Sequence, residues 1–297
     1  MFVLMGANGN ITSKAAQTLL KQGHKVRVIG RSAASLAALK QAGAEIAVGD
    51  AQDASFLTRA FNGAQAVYVM IPPAYDSPDM RAHQAKLGLA IAEALIQSGV
   101  KRVVNLSSIG AHLPDGTGPI AGLHHQEQRL NKIPGLDLLH LRPSYFMENH
   151  LHAAGLVAAF GVYPSMDKSN VPTATVATQD IAAVVVRELV NPSKRGVLHL
   201  HAPKDYTFQE AATILGSAIG NPALKHVQAE PAQAKAGMVQ HGFSQNVADL
   251  FEEMAVSMGD GRIAASLQTG AVEVTPTTLE AFAPAFTGVF EQVRKAA

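Results

Sequence analysis

Short apolar runs alternate with longer amphipathic stretches over the first half of the chain. Most of the runs end at glycine or proline, and the run over residues 25–30 is rich in β-branched residues, which is typical of buried strands. They cover residues 2–5, 25–30, 45–48, 66–71 and 102–106. The stretches between them predict helices over residues 15–22, 55–61 and 79–98, and an alanine-rich segment covers 32–41. Apolar strands separated by helices predict a doubly wound α/β fold with a parallel Rossmann sheet.

Beyond residue 143 the rhythm changes. The pattern predicts helices over 145–160 and 179–190, strands over 171–176 and 197–201, and mostly helix from about residue 231. Thr207 followed three residues later by Glu210 is a capping box and predicts a further helix start.

The change of rhythm predicts two domains. At 297 residues the chain is longer than a typical single domain. We expect residues 1–150, completed by 171–192, to form the Rossmann domain. Residues 151–297 are expected to form a smaller, mostly helical domain that shapes a substrate cleft.

Composition excludes several classes of protein. Hydrophobic residues make up 47% of the chain, which excludes intrinsic disorder. The 24 basic and 23 acidic residues nearly cancel, so a protein that binds nucleic acid directly is not expected. Without cysteine there is no disulfide framework and no thiolate metal site, and we expect no metal. Apolar stretches are shorter than a membrane span and a strand begins at Phe2, so the expected location is the cytoplasm.

The strongest chemical signal is the loop over residues 6–12, which lies between a predicted strand and a predicted helix. This is the context of the dinucleotide-binding fingerprint. Gly6 allows the chain to turn sharply off the strand, and Gly9 lets a pyrophosphate approach the backbone. Thr12 replaces the usual third glycine, which implies wider helix–strand packing or a hydroxyl near the phosphates. The alternative is a tight turn of an ordinary α/β protein. The residues assigned to the cofactor here are Gly6, Asn8, Gly9, Asn10, Ile11 and Thr12.

The end of the second strand indicates which dinucleotide binds. An NAD site usually carries an acidic residue there, whereas this chain has Arg31 and Ser32. An arginine pairs with a 2′-phosphate, so we predict NADP(H), against the alternative of a solvated arginine at a strand end. Asp50 is assigned to the adenine, and Ile71 and Pro72 close the fourth strand against the cofactor.

Taken together, these motifs resemble the NmrA-like family of atypical short-chain dehydrogenases/reductases. The resemblance runs from about residue 2 to about residue 290. The matching segments are residues 6–12, 26–31, 49–50, 71–73, 100–108, 141–149, 179–182 and 207–212. The family includes quinone reductases, azo-dye reductases and redox-sensing regulators. The resemblance implies NADP(H) across the strand ends, with the nicotinamide near Ser107 and residues 142–149.

The sequence lacks the usual catalytic pair of the wider superfamily. None of the five tyrosines has a lysine four residues later. On the corresponding helix His124 takes a position where many relatives have lysine, and we assign it as a proton relay. The alternative is a surface histidine on an amphipathic helix. Tyr145, Phe146 and Asn149 are assigned to the substrate cleft, with core packing as the alternative.

Without a tyrosine acid, strong hydride acceptors are the better substrates, because water can supply their protons. We therefore expect an NADP(H)-dependent oxidoreductase whose partner is a small quinone-like or azo acceptor. The rival hypothesis is a non-catalytic NADP(H) sensor that regulates a partner protein. Sugar-nucleotide epimerase chemistry is disfavoured by the missing pair. The helical C-terminal region offers a surface for a homodimer.

Overall fold

A parallel sheet of eight strands forms the centre of the computed structural model, which describes residues 1–296. The strands of this part of the chain are β1 (Phe2–Met5), β2 (Val26–Gly30), β3 (Glu45–Val48), β4 (Ala66–Val69), β5 (Arg102–Leu106), β6 (Asp137–Pro143), β7 (Tyr145–Phe146), β8 (Tyr163–Ser165), β9 (Thr175–Val176), β10 (Gly196–His201), β11 (His226–Gln228) and β12 (Ala271–Val274). The helices are α1 (Asn10–Lys21), α2 (Ala37–Gln41), α3 (Ala54–Phe61), α4 (Met80–Ser98), α5 (Ile120–Asn131), α6 (Ala154–Phe160), α7 (Thr178–Val190), α8 (Phe208–Ala218), α9 (Pro231–Gln240), α10 (Gln245–Gly259) and α11 (Leu279–Ala296). Within residues 1–296, three 3₁₀ segments cover Ala34–Leu36, Met147–Ala153 and Ala264–Gln268.

The strand order in the large sheet is β12-β10-β6-β5-β4-β1-β2-β3, and the paired strands run parallel. The chain reverses its direction of travel across the sheet between β1 and β4. In open parallel sheets, ligands bind at the carboxyl ends of the strands beside such a reversal. The order confirms the predicted doubly wound Rossmann fold, and the cofactor is expected across the ends of β2, β1, β4 and β5.

Two apolar layers hold the helices against the sheet. Because side chains alternate along a strand, Leu4 of β1 packs with α1 and α7 while Val3 and Met5 pack with α3 and α4 on the other face. These three side chains are completely or almost completely buried. A third apolar cluster joins α6, α8 and α11 in the C-terminal half, and Phe286 lies at its centre.

Three C-terminal elements differ from the expectation. Residues 145–160 are a two-residue strand, a 3₁₀ segment and a short helix rather than one helix. The strand expected over 171–176 is only Thr175–Val176. The segment expected to be mostly helical from residue 231 contains β12, which pairs with β10 at the edge of the large sheet. Strands β10 and β12 thus bring residues from beyond 150 into this sheet, and the division into two domains stays a prediction.

Among residues 1–296, no helix combines the length and the apolar character needed to cross a membrane.

Candidate active site

The loop between β1 and α1 forms a cradle that fits a phosphate. Gly6 has φ +74°, and a Cβ placed there would lie 2.8 Å from the sulfur of Met70. A Cβ on Gly9 would lie 3.2 Å from the carbonyl oxygen of Gly6. Helix α1 begins at Asn10 with no side-chain cap and no acidic residue in its first turn. The amides and the positive end of the helix dipole therefore remain available to an anion, as the dinucleotide fingerprint requires.

Thr12 explains how the helix packs without the third glycine. Its side chain is buried, and its hydroxyl donates a hydrogen bond to the carbonyl oxygen of Met5 at 2.8 Å. The hydroxyl thus joins α1 to the end of β1 instead of pointing to a phosphate. Of the two interpretations of this substitution, the structure favours helix–strand packing, and only the backbone amide of Thr12 is left for a ligand.

The ends of β2 and β3 present the groups expected to meet the adenosine half of the cofactor. Arg31 is exposed and makes no hydrogen bond or ion pair with any of residues 1–296. The hydroxyl of Ser32 bonds to that of Ser35 at 3.0 Å. Asp50 is exposed and accepts a hydrogen bond from the amide of Gln52 at 2.9 Å. Because β2 and β3 are neighbours in the sheet, these groups lie at one edge, and their cofactor contacts stay predictions.

The end of β4 borders the glycine cradle. Ile71 is buried, and Pro72 is half-buried directly after it. The contact of Met70 with Gly6 keeps this segment beside the phosphate loop. The predicted closing role of Ile71 and Pro72 is compatible with this position, and no ligand contact tests it.

At the ends of β5 and β6 the structure brings together three buried polar side chains. The hydroxyl of Ser107 donates to Oε1 of Glu127 at 2.5 Å. Arg142 donates two hydrogen bonds to the same carboxylate, from Nε to Oε1 at 2.9 Å and from Nη2 to Oε2 at 2.6 Å. Ser107 was predicted, whereas Glu127 and Arg142 were not assigned a role. The signal available in the sequence was a charged residue at the end of the apolar strand β6 and another on the buried face of α5.

His124 lies on the same helix as Glu127 and is half-buried. Its Nδ1 lies 2.9 Å from the carbonyl oxygen of Ala111. A carbonyl only accepts hydrogen bonds, so Nδ1 carries the proton and Nε2 of the neutral ring has a free lone pair. This nitrogen has no hydrogen-bond partner within the described chain, residues 1–296. The ring of His124 is therefore fixed by one hydrogen bond and has one nitrogen available to a ligand. Its assignment as a proton relay stays a prediction.

Other histidines near Arg142 are kept neutral. Burial lowers the pKa of His140 and of His199 to about 4, and it outweighs the charge of Glu127, which raises both pKa values, while that of Arg142 lowers them. Burial also lowers the pKa of His112, again with a contribution from Arg142. Since these rings remain uncharged at neutral pH, the charge of Glu127 balances that of Arg142 in this part of the site.

The residues assigned to the substrate cleft have different surroundings. Tyr145 belongs to an aromatic cluster, with its ring centre 5.4 Å from that of His150 and 5.6 Å from that of Phe208. Burial raises the pKa of Tyr145 well above its usual value, so the phenol stays protonated. Phe146 packs against the core under the sheet, and Asn149 is half-exposed on the 3₁₀ segment after β7. Core packing therefore explains much of the burial of Phe146. The assignment of all three residues to the substrate cleft stays a prediction.

Ser108 was not singled out in the sequence. It follows Ser107 at the same edge of the sheet and is half-exposed. While the proton of Ser107 goes to Glu127, the hydroxyl of Ser108 makes no hydrogen bond with residues 1–296. Ser108 is thus a further candidate for contact with a ligand at this edge.

Comparisons with known proteins agree with this geometry. The chain is 28% identical to an NAD(P)H azoreductase of Xenophilus azovorans over 255 residues, which cover 86% of each protein. It is 26% identical to (4-alkanoyl-5-oxo-2,5-dihydrofuran-3-yl)methyl phosphate reductase of Streptomyces griseus, with 75% of each chain covered. Among solved structures it is similar to an NADPH-dependent quinone oxidoreductase of Escherichia coli complexed with NADPH. That likeness has a TM-score of 0.79 at 21% identity and covers 96% of this chain and 99% of the other.

A triphenylmethane reductase of Citrobacter complexed with NADP(H) is also similar, with a TM-score of 0.77 at 18% identity and coverage of 99% and 100%. The NAD(P)H-binding family model matches residues 6–192, which is more than half of the chain. This match begins at the glycine cradle and ends after α7, and it confirms the family resemblance and the nicotinamide dinucleotide predicted from the motifs. The chain therefore belongs to the NAD(P)H-binding family.

Proposed function

We propose that this protein is an NADPH-dependent reductase that passes a hydride to a quinone-like or azo acceptor. The observation that carries the proposal is the arrangement at the ends of β5 and β6. There the hydroxyl of Ser107 donates its hydrogen bond to Glu127, and the half-buried His124 keeps one free nitrogen. Such a site offers, in place of a tyrosine–lysine pair, a histidine nitrogen that can take up a proton from solvent and pass it on. Acceptors that take a hydride readily need no stronger acid.

Different residues at the strand ends bind different parts of the cofactor. The cradle of Gly6 and Gly9 and the first turn of α1 hold the pyrophosphate. Arg31 and Ser32 hold the 2′-phosphate, which makes NADPH the preferred form. Asp50 accepts from the adenine amino group. Ile71 and Pro72 close the end of β4 against the cofactor, and Ser107 borders the nicotinamide.

The chemistry balances with one hydride and one proton. The bound cofactor supplies the hydride when it is reduced. The acceptor gains two electrons and one proton from this hydride and takes a second proton from solvent through Nε2 of His124. A quinone thereby becomes a hydroquinone and an azo group a hydrazine. The names of the relatives, an azoreductase and a quinone oxidoreductase, support this class of acceptor.

The test is NADPH oxidation by the purified protein with and without a panel of quinones and azo dyes, run beside titrations with NADPH, NADP⁺ and NADH. We expect turnover that depends on the acceptor. Tight binding without turnover on any acceptor would refute the reductase and favour the rival, an NADP(H) sensor that regulates a partner protein.

A variant at Arg31 tests the cofactor preference separately. Removal of a charged hydrogen-bond partner in Arg31→Ala should weaken NADPH binding by about tenfold to a hundredfold and leave NADH binding nearly unchanged. Arg294→Ala removes the same charge from an exposed position on α11 and should affect neither cofactor. Equal losses for NADPH and NADH in Arg31→Ala would refute the 2′-phosphate assignment.

A further inference from the structure

The carboxylate of Glu127 joins three separate elements at one point. Glu127 lies on α5, Ser107 directly follows β5, and Arg142 lies on β6. Backbone bonds pin the same region, since the amide of Ser107 donates to the carbonyl oxygen of Leu141 at 2.7 Å. The side chains of Glu127 and Arg142 are both more than nine-tenths buried. The arrangement is therefore rigid and screened from water.

Counting donors and acceptors shows what Ser107 is left to do. Glu127 accepts two bonds on Oε1 and one on Oε2, which is the pattern of an ionised carboxylate. A serine hydroxyl has one proton, and Ser107 gives it to Glu127. The oxygen of Ser107 therefore meets any further partner as an acceptor. An amide N–H₂ group, such as that of a nicotinamide carboxamide, is a partner of this kind.

The stability of the fold alone does not explain why this ion pair is buried here. Two buried charges lose their hydration, and well-packed apolar residues are often as stable or more stable. The pair lies at the carboxyl end of the sheet, where ligands bind in this fold. The specific effect of the Glu127–Arg142 pair at this place is to fix the orientation of Ser107.

The same carboxylate also holds helix α5. His124 lies three residues before Glu127, so the two side chains share one side of the helix. With Glu127 anchored to Arg142 and with Nδ1 of His124 bonded to Ala111, the helix cannot rotate about its axis without breaking these bonds. Both polar groups proposed to border the reacting atoms thus depend on one buried carboxylate.

We propose that Glu127, held by Arg142, is a positioning residue of the hydride-transfer site that keeps Ser107 as a hydrogen-bond acceptor for the nicotinamide end of the cofactor. This inference rests on the proposed function. It assigns a role to a buried group that touches neither the cofactor nor the acceptor, and that acts through Ser107.

The test is Glu127→Gln, with Glu188→Gln as the matched control. Glu188 is also a buried glutamate paired with a buried arginine, but it lies at the amino end of the sheet. We expect kcat to fall by about tenfold to a hundredfold in Glu127→Gln, while the KM for the acceptor changes little, because misplacement of a reacting group affects the chemical step. The fluorescence emission of bound NADPH should shift in Glu127→Gln and stay unchanged in Glu188→Gln.

Ser107→Ala leaves the ion pair intact and should reproduce both effects, including when Glu127→Gln does not fold. The double variant should lose no more than the larger single loss, because both changes remove one interaction. Multiplying losses, or kcat and emission like those of Glu188→Gln, would overturn the inference. If the wild type binds NADPH but reduces no acceptor, the proposed function fails, and the emission measurements still decide whether Glu127 acts on the cofactor through Ser107.

Discussion

Strand β5 has a buried arginine–glutamate pair at each of its ends. At the amino end, Arg102 meets Glu188 of α7 with Nη2 3.1 Å from Oε2. At the carboxyl end, Arg142 of the neighbouring strand meets Glu127 of α5 with Nη2 2.6 Å from Oε2. All four side chains are more than nine-tenths buried. The chemistry is the same, and the remaining partners of the two pairs differ.

The amino-end pair binds several backbone groups, besides the side chains of Asp137, Arg187 and Ser193. Oε2 of Glu188 accepts from the amides of Ser193 and Lys194 at 2.9 and 3.0 Å, and Arg102 donates to the carbonyl oxygens of Glu188 and Lys194. These bonds overcome the effect of burial, which alone would raise the pKa of Glu188, and leave that pKa below its usual value. The pair closes the loop between α7 and β10.

The carboxyl-end pair binds two side-chain hydroxyls and, among residues 1–296, no backbone group. Glu127 accepts from Ser107, and Nη1 of Arg142 donates to the hydroxyl oxygen of Thr269 at 3.2 Å. A hydroxyl, unlike a backbone amide, retains an acceptor lone pair for another group. The same kind of buried pair thus has two uses in this fold. At the amino end of the sheet it fixes a loop, and at the carboxyl end, where ligands bind, it orients functional groups.

The largest effect is expected from removing the arginine of the carboxyl-end pair. Arg142→Met leaves the buried carboxylate of Glu127 without a charged partner and should lower the free energy of unfolding by about 3–5 kcal/mol. Arg102→Met should lower it less, because Glu188 keeps Arg187, whose Nε lies 3.1 Å from Oε1, and the amides of Ser193 and Lys194. Urea unfolding monitored by circular dichroism measures this loss. In the double variant Arg142→Met/Glu127→Leu most of the stability should return, because no unpaired charge remains, while hydride transfer stays impaired. Full recovery of kcat would show that the two pairs are equivalent.

Acid should weaken the fold through histidines that are buried neutral. Burial lowers the pKa of His140, His150, His199 and His226 from 6.5 to about 4. Between these values the unfolded chain binds more protons than the folded chain, so the free energy of unfolding falls as the pH drops from 6.5 to 4. Asp167, whose pKa burial raises to about 6, opposes this trend with a single group.

We expect a net loss of at least about 2 kcal/mol over this range, measured by urea unfolding at each pH. His199→Gln should make the loss smaller, because it removes one of these rings beside Arg142. His241→Gln, at an exposed position, should leave the profile unchanged. A flat profile for the wild type between pH 6.5 and 4 would contradict the prediction.

The smallest effect separates the hydroxyl partners of the two pairs. Thr269→Val removes the acceptor of Arg142 Nη1, and Ser193→Ala removes the hydroxyl that donates to Oε1 of Glu188 at 2.8 Å. Each should cost about 1–2 kcal/mol of stability, as expected for a hydrogen bond to a charged group. Thermal unfolding measures both losses. Only Thr269→Val should also lower kcat, and an equal fall in Ser193→Ala would remove the distinction between the ends.

Local patterns were sufficient for much of the fold. The bounds of β1, β3 and β5 agree with the runs in the sequence. For β1, all four residues of which are buried, the reason is that a strand buried on both faces needs an unbroken apolar segment. The capping box of Thr207 and Glu210 is present as predicted, since its bonds join residues three apart. Strand β12 was missed because it is short and because Val272 and Val274 are 46% and 57% exposed. Its assignment depends on pairing with β10, about seventy residues earlier in the chain.

The candidate site divides in the same way. The sequence by itself determined the glycine cradle, the arginine at the end of β2 and the family, because a turn, a strand end and a motif are local features of the chain. Only the tertiary structure decided that the hydroxyl of Thr12 faces Met5, that Glu127 and Arg142 meet, and that Ser107 gives its proton to Glu127. These contacts join residues that the sheet brings together from separate elements, and a buried charge reveals its partner only when the packing around it is known.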